Sequence, residues 1–175
     1  RNRAILHSDD RLMPRRRRLW SSWNYLSGLP PHQGTASAVT YWMNRFAAEA
    51  ARWTKNKLDA NSSAYLMRLP VSDRLDLLGC RIAMYHGSVD SMVEYVYEQD
   101  LSEELLAKAE SDVLILGHTH VPYAVGLQKG LAVNPGSVGQ PRDSDPRASY
   151  AVIDLPAMKC EIRRVSYDID SAAES

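Results

Sequence analysis

His118 and His120 stand one residue apart in Gly117-His118-Thr119-His120, directly after the apolar run Asp112-Val113-Leu114-Ile115-Leu116. Neutral imidazole is the commonest metal ligand, and two on one short loop can face one ion or two neighbouring ions. A third histidine, His86, opens His86-Gly87-Ser88 after Arg81-Ile82-Ala83-Met84-Tyr85. Downstream, Asn134-Pro135-Gly136-Ser137-Val138-Gly139-Gln140-Pro141-Arg142 is a Gly/Pro-rich loop that leaves another short apolar stretch. Short metal motifs have real false positives, so a solvated loop with incidental histidines is the plain alternative.

These groups meet only if the elements before them are neighbours. The run 112–116 is short, apolar and branched at several positions, which predicts a buried strand ended by Gly117. Sites in layered α/β folds sit at the rim outside the carboxyl ends of such strands. Three strand ends carrying His, His-x-His and a polar glycine loop would converge on one rim. The surrounding pattern supplies the rest. Residues 47–58 are rich in helix formers. Asn61-Ser62-Ser63 predicts the cap of a helix over 64–69, stopped by Pro70. Val71–Leu77 and Cys80–Tyr85 read as a hairpin turning at Leu78-Gly79. A short helix is predicted near Met92–Tyr97, and a capped one over Ser102–Glu110. Strands follow at Asp112–Leu116, Tyr123–Leu127, Leu131–Val133, Ser149–Asp154 and Cys160–Val165. The fold class is therefore α/β (α+β), with a mixed sheet.

The 175 residues predict one modest domain, with 45% hydrophobic residues and no apolar run long enough to cross a bilayer. No cationic-then-apolar leader follows Arg1-Asn2-Arg3. Cys80 and Cys160 read as free, buried thiols, which fits a cytoplasmic setting. The net charge of zero hides a split. Residues 1–46 carry eight Arg, two Asp and no Lys or Glu, a net +6, and residues 47–175 carry −6. Trp20, Trp23 and Trp42 lie in the basic part, near Arg15-Arg16-Arg17-Arg18. Arginines beside aromatics suit nucleic acid, although a solvated charge run has the same appearance.

His86-Gly87-Ser88, Gly117-His118-Thr119-His120-Val121-Pro122, the loop from Asn134 to Asp143 and Asp145-Pro146-Arg147-Ala148-Ser149-Tyr150 resemble the C-terminal half of a calcineurin-like metallophosphoesterase. The likeness is to its small bacterial and archaeal phosphodiesterase branch and covers residues 47–175. It implies part of a four-layer αββα fold, with the N-terminal half missing. It also implies divalent metal ions (Mn, Zn, Fe, Ni or Mg) and a small-molecule phosphate-ester substrate. By motif match, His86 and His118 would bind one metal and His120 the other. Asn134, Gly136 and Ser137 would shape the pocket, and Arg142 would meet a substrate phosphate or pair with Asp143 or Asp145. The family's Asp-x-His strand, bridging Asp and Asn-His-Asp turn have no counterpart in the sequence. The site is thus expected to be incomplete, the catalytic residues are unassigned, and an uncovered sheet face is expected to drive self-association.

Residues 1–46, with Asn2–Asp9, Trp20–Tyr25 and Val39–Arg45, resemble an interior fragment of a flavin-dependent amine-oxidase-like family. The glycine-rich flavin fingerprint is absent, so no FAD site is implied. The expected organisation is a basic fragment, 1–46, joined to a partial phosphoesterase domain, 47–175, as in a chimeric or truncated chain. Three functions follow as expectations: a metal-dependent phosphoesterase, a non-catalytic remnant, or an arginine-rich interaction segment on an inert domain.

Overall fold

The computed structural model describes residues 4–7 and 52–174. The arginine tetrad, Trp20, Trp23, Trp42 and the junction at residues 45–47 lie outside the described residues. The chain divides into two compact units, Arg1–Trp20 with Val71–Ser175, and Ser21–Pro70.

In the second unit residues 52–57 are helical and α1 spans Ala60–Leu66. The helix begins earlier than Asn61-Ser62-Ser63 predicts. Asp59, in extended conformation, accepts the Ser62 N–H at 2.6 Å and so takes the cap position.

The first unit holds two sheets. Strands β1 (Ala4–His7), β7 (Ala148–Asp154) and β8 (Lys159–Val165) form one, in the order β1-β7-β8. Strands β2 (Ser72–Leu77), β3 (Cys80–Tyr85), β4 (Val113–Leu116), β5 (Tyr123–Gly126) and β6 (Leu131–Asn134) form the other, in the order β2-β3-β4-β6-β5. The second sheet is mixed. The central strands β3, β4 and β6 run parallel, and β2 and β5 close its edges antiparallel. The hairpin β2–β3 turns at Leu78 and Gly79, both at positive φ (55° and 78°). β1 comes from the basic part of the chain, yet its backbone pairs with β7 in the register Ala4↔Ile153 to His7↔Tyr150.

The alternation of each strand sorts its residues between two cores. Ile82, Met84, Val113, Ile115, Leu131 and Val133 face Ala151, Ile153 and Leu155, so the two sheets pack on each other. Ala83, Leu114 and Leu116 point the other way, onto Val96, Leu106 and Ala109. Leu106 belongs to helix α2 (Glu103–Lys108), capped by Ser102 and with Glu103 and Glu104 in its first turn. A strand buried on both faces reads as an unbroken apolar run, which is what Val113–Leu116 is. The expected bare face is corrected for the five-stranded sheet: β7 supplies the apolar layer that covers it.

Two further expectations are corrected. Residues 92–97 are not helical; a turn at 92–93 leads into irregular chain and a 3₁₀ turn at Glu98–Asp100. The Tyr97 N–H bonds the Asp100 carboxylate at 2.8 Å, a local alternative to a helical ladder. Cys80 and Cys160 are free but half-buried, packed at the margin of the inter-sheet core. Helix α3 (Ile169–Glu174) follows β8. Among the described residues no helix is long and apolar enough to cross a membrane.

Candidate metal centre

Because β3, β4 and β6 are parallel neighbours, their carboxyl ends open on one rim. His86 follows β3 directly, Gly117 and His118 follow β4, and Asn134 is the last residue of β6. The Gly117 N–H donates to the His86 carbonyl at 3.0 Å, which extends the β3–β4 ladder past the strands and fixes the two loops to each other. His86 Nε2 then lies 3.1 Å from His118 Nδ1. Two imidazole nitrogens bound to one tetrahedral ion would be about 3.4 Å apart, from metal–nitrogen bonds of about 2.0–2.1 Å. The pair is within hydrogen-bond reach, and its separation is close to that of two ligands of a single cation.

The loop that presents His118 is held in an unusual backbone. His118 and His120 both have positive φ, 66° and 60°. Each such residue costs on the order of 1–3 kcal/mol unless its surroundings hold it there. Those surroundings are visible. Thr119, between them, is 1% exposed. Its hydroxyl accepts the Val121 N–H at 3.1 Å and receives the Asn134 amide at 3.0 Å. The same Asn134 amide donates to the Gly117 carbonyl at 3.0 Å, and its Oδ1 accepts the Gly136 N–H. One buried side chain thus ties the loop after β4 to the loop after β6.

Burial lowers the pKa of all three histidines and so favours the neutral form, the state a cation needs. It lowers His86 to a pKa of about 3, with further lowering from His118 and His120. It lowers His118 too, against a backbone hydrogen bond to Val93, and the charges of His120 and Arg142 add to that lowering. His120 is lowered by burial and by Arg142, against its bond to Gln140. Since a carbonyl only accepts, the His120 Nδ1–H donates to the Gln140 carbonyl at 2.8 Å, which leaves Nε2 with the lone pair.

The structure brings His86 and His118 together and turns His120 to Gln140. Among the described residues no group of three or more His, Cys, Asp and Glu side chains is placed to hold a metal ion. Asn134 and Ser137 are buried and serve the loop scaffold, with the Ser137 hydroxyl accepting the Gln140 N–H at 3.0 Å. Gly136 has φ of 79°, and a Cβ there would be 2.8 Å from Ser149 Oγ. Arg142 donates to the Gln140 side chain at 3.2 Å, while Asp143 pairs with Arg164 and Asp145 with Arg147. The expected ion pair from Arg142 to Asp143 or Asp145 is thus replaced by other partners.

Two residues escaped the sequence reading. Thr119 carries no chemical signal of its own, but its place between two left-handed residues makes it the anchor. Tyr95 packs against His118 with ring centroids 4.2 Å apart and planes tilted by 39°. Its alternation with Val93 and Tyr97 was the available sign of an extended segment rather than a helix.

Comparison with known proteins bears on the family and the fold. The family model for a calcineurin-like phosphoesterase superfamily domain matches residues 55–158. An uncharacterized protein of Methanocaldococcus jannaschii is 29% identical over 76% of this chain and 60% of its own length. A probable metallophosphoesterase of Methanothermobacter thermautotrophicus is 34% identical over 57% of this chain and 56% of its own length. The phosphodiesterase YfcE of Escherichia coli is 27% identical over 69% of this chain and 82% of its own length. The chain thus spans only 56–60% of the two archaeal relatives. Among solved structures, a metallophosphoesterase from Sphaerobacter thermophilus aligns with a TM-score of 0.62 at 27% identity, over 87% of this chain and 67% of that one. A hypothetical protein from Pyrococcus horikoshii shares the fold, with a TM-score of 0.71 at 20% identity, over 89% of this chain and 65% of that one.

Proposed function

Since this chain belongs to the calcineurin-like phosphoesterase superfamily, we propose that it carries the imidazole half of a metal-dependent centre for phosphoester hydrolysis. The observation that supports this reading is the 3.1 Å approach of His86 Nε2 and His118 Nδ1 at the rim of three parallel strands. When bound there, a divalent cation would supply Lewis acidity toward phosphoryl oxygens and activate water. His86 and His118 would hold it, and the neutral Nε2 of His120 would face a second ion or the ester. Arg142 would bind phosphate oxygens, whose geometry its guanidinium matches. Asn134 and Thr119 would keep the two loops in place.

The fitting substrate is a small phosphodiester or phosphomonoester. The test is manganese-dependent hydrolysis of bis(p-nitrophenyl) phosphate by the whole chain. Activity above the metal-free rate, lost in His118→Ala and kept in the surface variant Lys159→Ala, supports the reading. Equal rates for wild type and His118→Ala refute it.

A second reading also rests on an observation. With no third His, Cys, Asp or Glu beside the pair among the described residues, this chain would bind a single ion weakly and turn over no ester. Calorimetric titration with manganese separates the two: binding without turnover favours the non-catalytic form.

A further inference from the structure

Next to the histidine pair is a row of exposed aromatic surface that the metal reading leaves unused. Tyr95 and Tyr97 are 45% and 36% exposed, their rings nearly parallel (13°) with centroids 6.1 Å apart. Tyr95 is also the ring that touches His118, at 4.2 Å. The row thus begins at the candidate centre and leads away from it.

The segment is fixed on its inner side. Val96, between the two tyrosines, is 5% exposed and packs in the core with Leu106, Leu114 and Leu116. The buried Tyr123 hydroxyl donates to the Val96 carbonyl at 3.2 Å. Upstream, the Ser88 hydroxyl accepts the N–H groups of Asp90 and Ser91 and donates to Glu94. A Cβ on Gly87 would collide with the Ser91 carbonyl, so the turn closes tightly. Downstream, the Asp100 carboxylate holds the Tyr97 N–H. Aromatic rings left in water on a pinned backbone are surface ready to bind, with little entropy left to lose.

We infer that Tyr95 and Tyr97 form a stacking ledge for the esterifying group of the substrate, which selects phosphate esters bearing a planar aromatic ring, such as nucleoside phosphates, over purely aliphatic ones. The inference rests on the phosphoesterase reading for the position of the phosphate, at Arg142 and the histidines. A ring joined to that phosphate directly or through a sugar extends over Tyr95 toward Tyr97. Stacking suits any base, because every base offers a π face.

Binding tests this separately from turnover. Equilibrium dialysis of the whole chain with manganese present would compare adenosine 5′-monophosphate, phenyl phosphate and ribose 5-phosphate. The nucleotide should bind more tightly than the sugar phosphate, by roughly 5- to 150-fold, the usual range for one base on one aromatic side chain. Tyr97→Leu should abolish that preference and leave ribose 5-phosphate unchanged, while Tyr97→Phe should keep it. Tight phenyl phosphate binding lost in Tyr95→Leu would place a directly attached ring on the inner tyrosine. Equal affinity of wild type for nucleotide and sugar phosphate overturns the ledge, as does an equal loss of both ligands in Tyr97→Leu. A nucleotide preference that persists without hydrolysis of any ester sustains the ledge and refutes only the catalytic reading.

Discussion

Asn134 Nδ2 lies 3.0 Å from Thr119 Oγ1, and through that bond the end of β6 holds the loop that carries His118 and His120. Asn134 is fully buried. Asn134→Ala would leave the Gly136 N–H without its Oδ1 acceptor in the interior, while the Gly117 carbonyl would keep only the Thr119 N–H. The expected cost is roughly 1–3 kcal/mol, from one unsatisfied buried group. Urea denaturation of the variant against wild type measures it, and a loss below half of a kcal/mol would show that the bridge is not holding the loop.

Metal affinity should divide the histidines. His86→Ala and His118→Ala each remove one member of the 3.1 Å pair. Their manganese affinity should fall at least as far as the roughly 10- to 100-fold that loss of an outer-shell partner costs. His120→Ala should fall less for the first ion, because His120 lies outside that pair. Titration calorimetry of the three variants gives the order.

Gly136 should tolerate no side chain. Its φ of 79° disfavours an L-residue, and a Cβ would meet the Ser149 hydroxyl at 2.8 Å and its Cβ at 2.9 Å. Gly136→Ala should destabilise by about 1–3 kcal/mol. Adding Ser149→Gly, which removes both clashing atoms, should recover part of that loss in thermal melts.

The opposite rim of the sheet supplies a pH dependence. Asp112 accepts the Arg81 backbone N–H at 2.8 Å and its guanidinium Nε and Nη2, at 3.1 and 2.7 Å, which clamps the start of β3 to the start of β4. Hydrogen bonds from Arg81 lower the Asp112 pKa below its ordinary 3.8. A carboxyl depressed on folding adds stability above its unfolded pKa, and that stability is lost as pH falls through the folded value. Stability should therefore drop below about pH 4. Asp112→Asn should be less stable than wild type at neutral pH and lose less on acidification. Urea midpoints measured from pH 6 to pH 3 decide it.

Much of the fold was legible because the signals were local. Val113–Leu116 is a four-residue apolar run buried on both faces, Leu78-Gly79 carries the positive φ of the hairpin, and Ser102 caps α2. The segment 92–97 was not, because Met92, Val93 and Val96 imitate a helical stripe. Only Val96 of that stripe is buried; the serine and aspartate bonds at Ser88 and Asp100 set an extended path instead. The pairing of Ala4–His7 with β7 joins residues nearly the whole chain apart, which no local pattern encodes. For the site, the spacing of the motifs suggested three convergent imidazoles. The resemblance already placed His86 with His118 and set His120 apart, but nothing in the sequence showed that His120 would turn its Nδ1 to the Gln140 carbonyl, since that outcome depends on the backbone hand at each residue.

That hand carries an evolutionary consequence. Selection acting on foldability alone would put glycine or asparagine at 118 and 120, where either is more comfortable than an imidazole-bearing residue. Each such replacement would delete a donor in the act of relieving the chain. A stability screen blind to cations would therefore discard both imidazoles first.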